Sequence, residues 1–288
     1  MQFELYSTLA LILATGLIAL AYLIRVFFKG HAHSDRVSKQ GASSLLSKEM
    51  MEGAYWFLQP LGRFLIFCRI TPNQVSWSSL ILGMIAGTCL AFGHFGSGAV
   101  FATVSALLDS LDGMVARKTG LASDAGEVLD AAVDRYAEFF FLGGLVVYYR
   151  EVPVLLLLAL AALTGAFMVS YSTAKAEALH IKVPKGNMRR PERAVYLTLG
   201  AALCPVTIPY FEAVRELPIP IGHPMVVALC LVAVLGNISA VERLWAIAKE
   251  IRVREALAKR QSAVTSAALD ASGEETVSQD HSIHVKKL

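Results

Sequence analysis

Long apolar runs constrain this chain more than any other feature of its sequence. Seven such blocks follow one another: Leu5–Phe28, Val75–Phe92, Ala99–Leu111, Val128–Tyr149, Val152–Ser172, Ala194–Phe211 and Met225–Trp245. A helix needs about 20 apolar residues to cross a bilayer. Only 17% of the residues are charged, against about 25% in soluble domains. The reading is an all-α polytopic membrane protein with a six-helix transmembrane core preceded by one extra N-terminal transmembrane helix. That first block is too long for a signal-peptide core and lacks a basic start, so it is read as an anchor. Glu49–Ile70 mixes Trp56, Phe57, Leu61 and Phe64 with Arg63 and Arg69, which predicts an amphipathic helix at the membrane interface.

The chain divides by composition into an anchor (1–30), a polar linker (31–48), a main domain (49–251) and a polar, disordered tail (252–288). Lys and Arg fall on alternate loops. Arg63, Arg69, Arg117, Lys118 and the run Lys175–Arg193 lie on one side with the tail, while the opposite loops hold only Arg150 and Arg215. The positive-inside rule makes the basic side cytoplasmic. The net charge of +3 is small, and no motif points to nucleic acid. Cys68, Cys89, Cys204 and Cys230 form no CxxC pair and read as small apolar residues, not as a disulfide or zinc framework. Gly83 and Gly87 make a GxxxG step, suited either to packing inside the protein or to a dimer contact.

The Ala99–Leu111 block is too short to span alone and must continue through Asp109–Arg117, and ionisable residues at a membrane helix end need a reason. Asp109 and Asp112 are three apart, and Asp130 and Asp134 four apart, so each pair shares a helix face. The link Lys118–Ala125 is short, which makes the two helices antiparallel neighbours and brings both pairs to one depth. Four carboxylates gathered there stay ionised only with cations between them. Oxygen ligands favour Mg²⁺ or Mn²⁺ over zinc, and two such ions about 4 Å apart suit in-line displacement at phosphorus. A transporter using intramembrane acids is the rival from a different class, but its acids belong near midplane and in repeated halves.

These residues fit DxxDGxxAR, eight residues, then GxxxDxxxD, at Asp109, Asp112, Gly113, Ala116, Arg117, Gly126, Asp130 and Asp134. The sequence resembles the CDP-alcohol phosphatidyltransferase family over roughly Gly53–Ile251, with Thr71-Pro72-Asn73 similar to the entry of that family's first core helix. The resemblance implies a homodimer in the cytoplasmic membrane, with a polar cavity facing the cytoplasm. It implies a transferase that moves a phosphatidyl group from CDP-diacylglycerol to an alcohol and releases CMP. Asp109, Asp112, Asp130 and Asp134 would hold the metals, with Asp134 also the base on the incoming hydroxyl. Asp112, Gly113, Ala116, Arg117 and Gly126 would surround the nucleotide and its phosphates.

The basic stretch Lys175, Lys182, Lys185, Arg189, Arg190 and Arg193 suits an anionic acceptor or anionic lipid. Lys175, Arg190 and Arg193 are its candidate acceptor-binding residues. Ser170–Glu177 and Arg190-Pro-Glu-Arg193 resemble segments of bacterial phosphatidylinositol phosphate synthases, which implies inositol phosphate as acceptor. Thr173 stands where that branch has lysine and Lys175 where it has arginine, so glycerol 3-phosphate or another alcohol stays open.

Overall fold

The computed structural model describes residues 2–30, 48–184, 186, 188–214 and 223–284. Among them are eight helices and no strand: α1 (Gln2–Lys29), α2 (Lys48–Phe67), α3 (Pro72–Ala91), α4 (Phe95–Thr119), α5 (Asp124–Tyr148), α6 (Pro153–Ala178), α7 (Arg190–Val214) and α8 (Pro224–His284). Five are long and apolar enough to cross a membrane: α1, α3, α4, α6 and α8. The chain is therefore an all-α polytopic membrane protein. Two expected spans, on α5 and α7, are not among the five. On α5, Asp134, Arg135 and Glu138 interrupt the apolar run, and all three line a cavity described below.

Local sequence sets the helix ends. Thr71 caps α3 in a full capping box: its hydroxyl accepts from Gln74 N, Gln74 reaches back to Thr71 N at 2.9 Å, and Pro72 opens the helix. Gly120, in the left-handed region at φ 71°, ends α4. Ser123 opens α5 by accepting from Gly126 N at 3.1 Å. The expected short block at Ala99–Leu111 is thus one continuous helix through Arg117.

Contacts divide the described residues into two compact units: Met1–Tyr171 with Lys185–Ala240, and Ser172–Pro184 with Val241–Leu288. In the first unit, α3 is a wedge: both α4 and α5 pack along it, and they touch one another far less. The two aspartate helices are therefore neighbours through α3, with a gap between them, and not a directly packed pair. Glycine makes the close approach possible. A Cβ on Gly87 would stand 2.1 Å from the Phe140 carbonyl oxygen, and one on Gly144 2.1 Å from that of Gly87. The GxxxG step is therefore used inside the chain, against α5. Behind α5, Leu142, Leu145, Ala159, Ala162, Ala166 and Leu229 form a buried core. There Asn237 on α8 donates to the Ala161 carbonyl at 2.9 Å, ahead of Gly165.

In the second unit, Ala176, Ile181 and Ile247 form a small cluster. Arg243 donates to Thr173 Oγ1 at 2.6 Å, and Arg254 to the Leu179 and His180 carbonyls. Where the composition of 252–288 suggests disorder, α8 stays helical to His284. Its Ala, Glu, Lys, Arg and Gln residues are strong helix formers. The linker 31–47 and Lys185 lie outside the described residues.

Candidate active site

The residues on the two sides of the α4–α5 gap are those singled out by spacing. Carboxylate oxygens of Asp109, Asp112 and Asp130 all lie within 4.8 Å of one another. Asp112 is buried and oriented by neutral donors: Ser76 Oγ on α3 gives to its Oδ2 at 2.5 Å, and Gly113 N to its Oδ1 at 2.5 Å. Asp134 lies beside Asp109 and is ion-paired with Arg190 at the start of α7, and Arg190 also reaches Asp109 at 3.2 Å. One guanidinium thus ties together acids from both helices. Asp134 Oδ1 remains buried with no hydrogen-bond partner among the described residues.

Three cavities adjoin these acids: one is lined by Asp109, Glu138 and Arg190, and the other two meet at Glu127 and Asp130. The larger, of about 480 Å³, is lined by Asn73, Ser76, Asp112, Arg117, Gly126 and Asp130, with Gly113 and Ala116 on its α4 wall. A Cβ on Gly113 would come within 3.0 Å of Arg117 Nη1, so the bare backbone here leaves the arginine its place. The smaller, of about 230 Å³, is lined by Glu127, Asp130, Asp134, Arg135, Ser170 and Arg190. Asp130 is a wall of both.

The acceptor candidates differ in their surroundings. Arg190 lines the smaller cavity. Lys175 belongs to the second compact unit. Arg193 has no exposed surface, and its guanidinium is engaged by the protein itself: Nε and Nη2 donate to Glu138 at 2.6 and 2.9 Å, and Nη1 to the Met188 carbonyl at 3.3 Å. Two functional neighbours escaped the sequence reading. Ser76 gives no signal as one serine on an apolar helix. Glu138 continues the stripe of Asp130 and Asp134 by one more step of four, and that spacing was a usable signal.

The trio fits a divalent ion. It offers hard oxygen donors at chelating separation, Asp112 is satisfied only by neutral groups, and Asp134 keeps a buried oxygen unsatisfied. The model of one protein family, CDP-alcohol phosphatidyltransferase, matches residues 69–238. The chain belongs to this family.

A CDP-alcohol phosphatidyltransferase is an enzyme of phospholipid synthesis that works in the membrane with divalent metal, and the transporter reading falls away. The chain is 31% identical over 160 residues to a phosphatidylinositol phosphate synthase of Corynebacterium glutamicum, covering 53% of this chain and 72% of that protein. It is 29% identical over 194 residues to the Cutibacterium acnes enzyme of the same name, covering 66% and 91%. Among solved structures, it is similar to Mycobacterium tuberculosis phosphatidylinositol phosphate synthase with CDP-DAG bound, at 27% identity and TM-score 0.56 over 66% of this chain and 92% of that one. The same enzyme in complex with manganese and citrate gives 27% identity and TM-score 0.57, over 66% and 88%. Helices α1 and α2 lie outside the matched segment.

Proposed function

We propose that this phosphatidyltransferase moves the phosphatidyl group of CDP-diacylglycerol to inositol phosphate at the cytoplasmic face of the membrane. The observation that carries the reading is the convergence of Asp109, Asp112 and Asp130 beside two cavities, with Asp112 lining the larger and Asp130 lining both. The larger cavity takes the cytidine nucleotide, with Arg117 against its phosphates and the diacyl chains left in lipid. The smaller takes the acceptor, whose hydroxyls find carboxylate acceptors in Glu127 and Asp134 and whose charge meets Arg135 and Arg190.

Asp109, Asp112 and Asp130 would hold two Mg²⁺ or Mn²⁺ ions, with Asp134 completing the site, and bound ions supply charge neutralisation at the pyrophosphate and the departing phosphate. Ser76 fixes the rotamer of Asp112. Arg190 pairs with Asp134, which lines the smaller cavity, where a carboxylate takes the proton of the incoming hydroxyl. The acceptor oxygen forms the new P–O bond to the lipid phosphate as the bond to the CMP oxygen breaks, and the proton goes to Asp134. The relatives named above support inositol phosphate as acceptor. Glycerol 3-phosphate is the second reading, favoured by Thr173 in the lysine position and by Arg193 being committed to Glu138.

The test is an acceptor screen on purified protein with radiolabelled CDP-diacylglycerol and Mn²⁺. CMP release is expected with inositol phosphate and not with inositol, glycerol 3-phosphate or serine. Asp130→Asn is expected to abolish it while still inserting in the membrane. Turnover by Asp130→Asn at the wild-type rate would sink the assignment.

A further inference from the structure

Helix α1 lies outside the segment matched by the family, yet it docks on the core at both of its ends. At its start, Glu4 accepts from the Ser97 backbone N–H at 2.9 Å and from the Ser97 hydroxyl at 2.8 Å, and His94 Nδ1 lies 3.2 Å away. Ser97 is the third residue of α4, so its amide is one that a helix start leaves without an internal partner. His94, at the cap position, makes no side-chain cap. Glu4 therefore caps α4 from another helix, with its charge on the positive end of the α4 dipole. The backbones are close: a Cβ on Gly96 would stand 2.3 Å from the Glu4 carbonyl oxygen, and Thr8 is fully buried beside it.

At the other end of α1, the Tyr22 ring lies against Gly53, where a Cβ would meet it at 2.9 Å, and 5.9 Å from the Trp56 ring. Arg25 sits over Trp56 at 5.8 Å. Helix α2 then grips α4: a Cβ on Gly62 would meet Met114 Sδ at 2.7 Å, and Leu58, Leu111 and Met114 share one buried cluster. Midway, Thr15 is exposed and a Cβ on Gly16 would touch nothing within 4 Å.

We propose that α1 is a brace that sets the axial position of α4, with Glu4 a positioning residue for Asp109 and Asp112. From Ser97 to Asp109 is about 18 Å of stiff helix. Holding the first amide of that rod, and through α2 its flank at Met114, removes its freedom to slide or tilt. Oxygen ligands for a hard cation must be placed to within about 0.5 Å. The proposal rests on the reading of Asp109 and Asp112 as metal ligands.

The experiment uses the full chain in lipid nanodiscs, with Mn²⁺ binding followed by the spin-resonance signal of the free ion, beside melting temperature and steady-state kinetics. Glu4→Ala is expected to weaken Mn²⁺ binding about threefold or more and to lower kcat, with KM for CDP-diacylglycerol unchanged within about twofold. Glu4→Gln keeps an acceptor oxygen and is expected to recover most of the loss. Ser97→Ala removes one donor only and serves if Glu4→Ala fails to accumulate, with a smaller shift in the same direction. Wild-type Mn²⁺ affinity in the folded fraction of both variants, even with lower melting points, overturns the brace. Asp112→Asn separates the two readings. If it binds Mn²⁺ like wild type, the ligand assignment is at fault. If it loses the ion while both brace variants keep it, the brace alone fails.

Discussion

At the residue scale, the site is built from charges that answer one another. Arg190 and Arg193 are one turn apart on α7, and the sequence offers them as equals, but their surroundings give them different work. Arg190 faces Asp109 and Asp134 in the gap, whereas Arg193 is sealed against Glu138 on α5. Removing one partner of a buried ion pair leaves the other charge uncompensated, at a cost of about 3–5 kcal/mol. Arg193→Ala and Glu138→Ala are therefore each expected to lower thermal stability sharply, and the double variant to lose clearly less than the sum of the two. A double-variant cycle on melting temperature checks this. Strict additivity, joined to a rise in acceptor KM for Arg193→Ala alone, would return Arg193 to the acceptor site.

The element scale shows what spacing can and cannot disclose. Asp109, Asp112, Asp130 and Asp134 were legible because helical periodicity places each pair on one face and the short link limits how far the faces part. That α3 stands between the two helices was not legible, because periodicity describes a helix face and not what the face meets. The pairing of Gly87 with Phe140 and Gly144 is the physical record of that wedge. The tail shows the converse limit: a polar composition sets solubility, while helix propensity follows side-chain entropy. Gly87→Ala is expected to push α3 off the α5 backbone, costing about 1–3 kcal/mol of stability and reducing activity with the gap misshapen. Gly16→Ala, where the added carbon touches nothing, is expected to be silent in the same melting and turnover measurements.

At the scale of the whole molecule, two carboxylates, Glu127 and Asp130, bound two rooms. Asp130 lines both the cavity read as the nucleotide's and the one read as the acceptor's, so the donor need not leave before the alcohol can enter. The kinetic consequence is a ternary complex. Double-reciprocal plots at several fixed acceptor concentrations are expected to intersect, and labelled CMP is expected not to exchange into CDP-diacylglycerol while acceptor is withheld. Parallel lines with rapid exchange would instead mean that the lipid phosphate rests covalently on the protein between two half-reactions. With Asp130 common to both compartments, the transfer is expected to be a single handover across one shared wall.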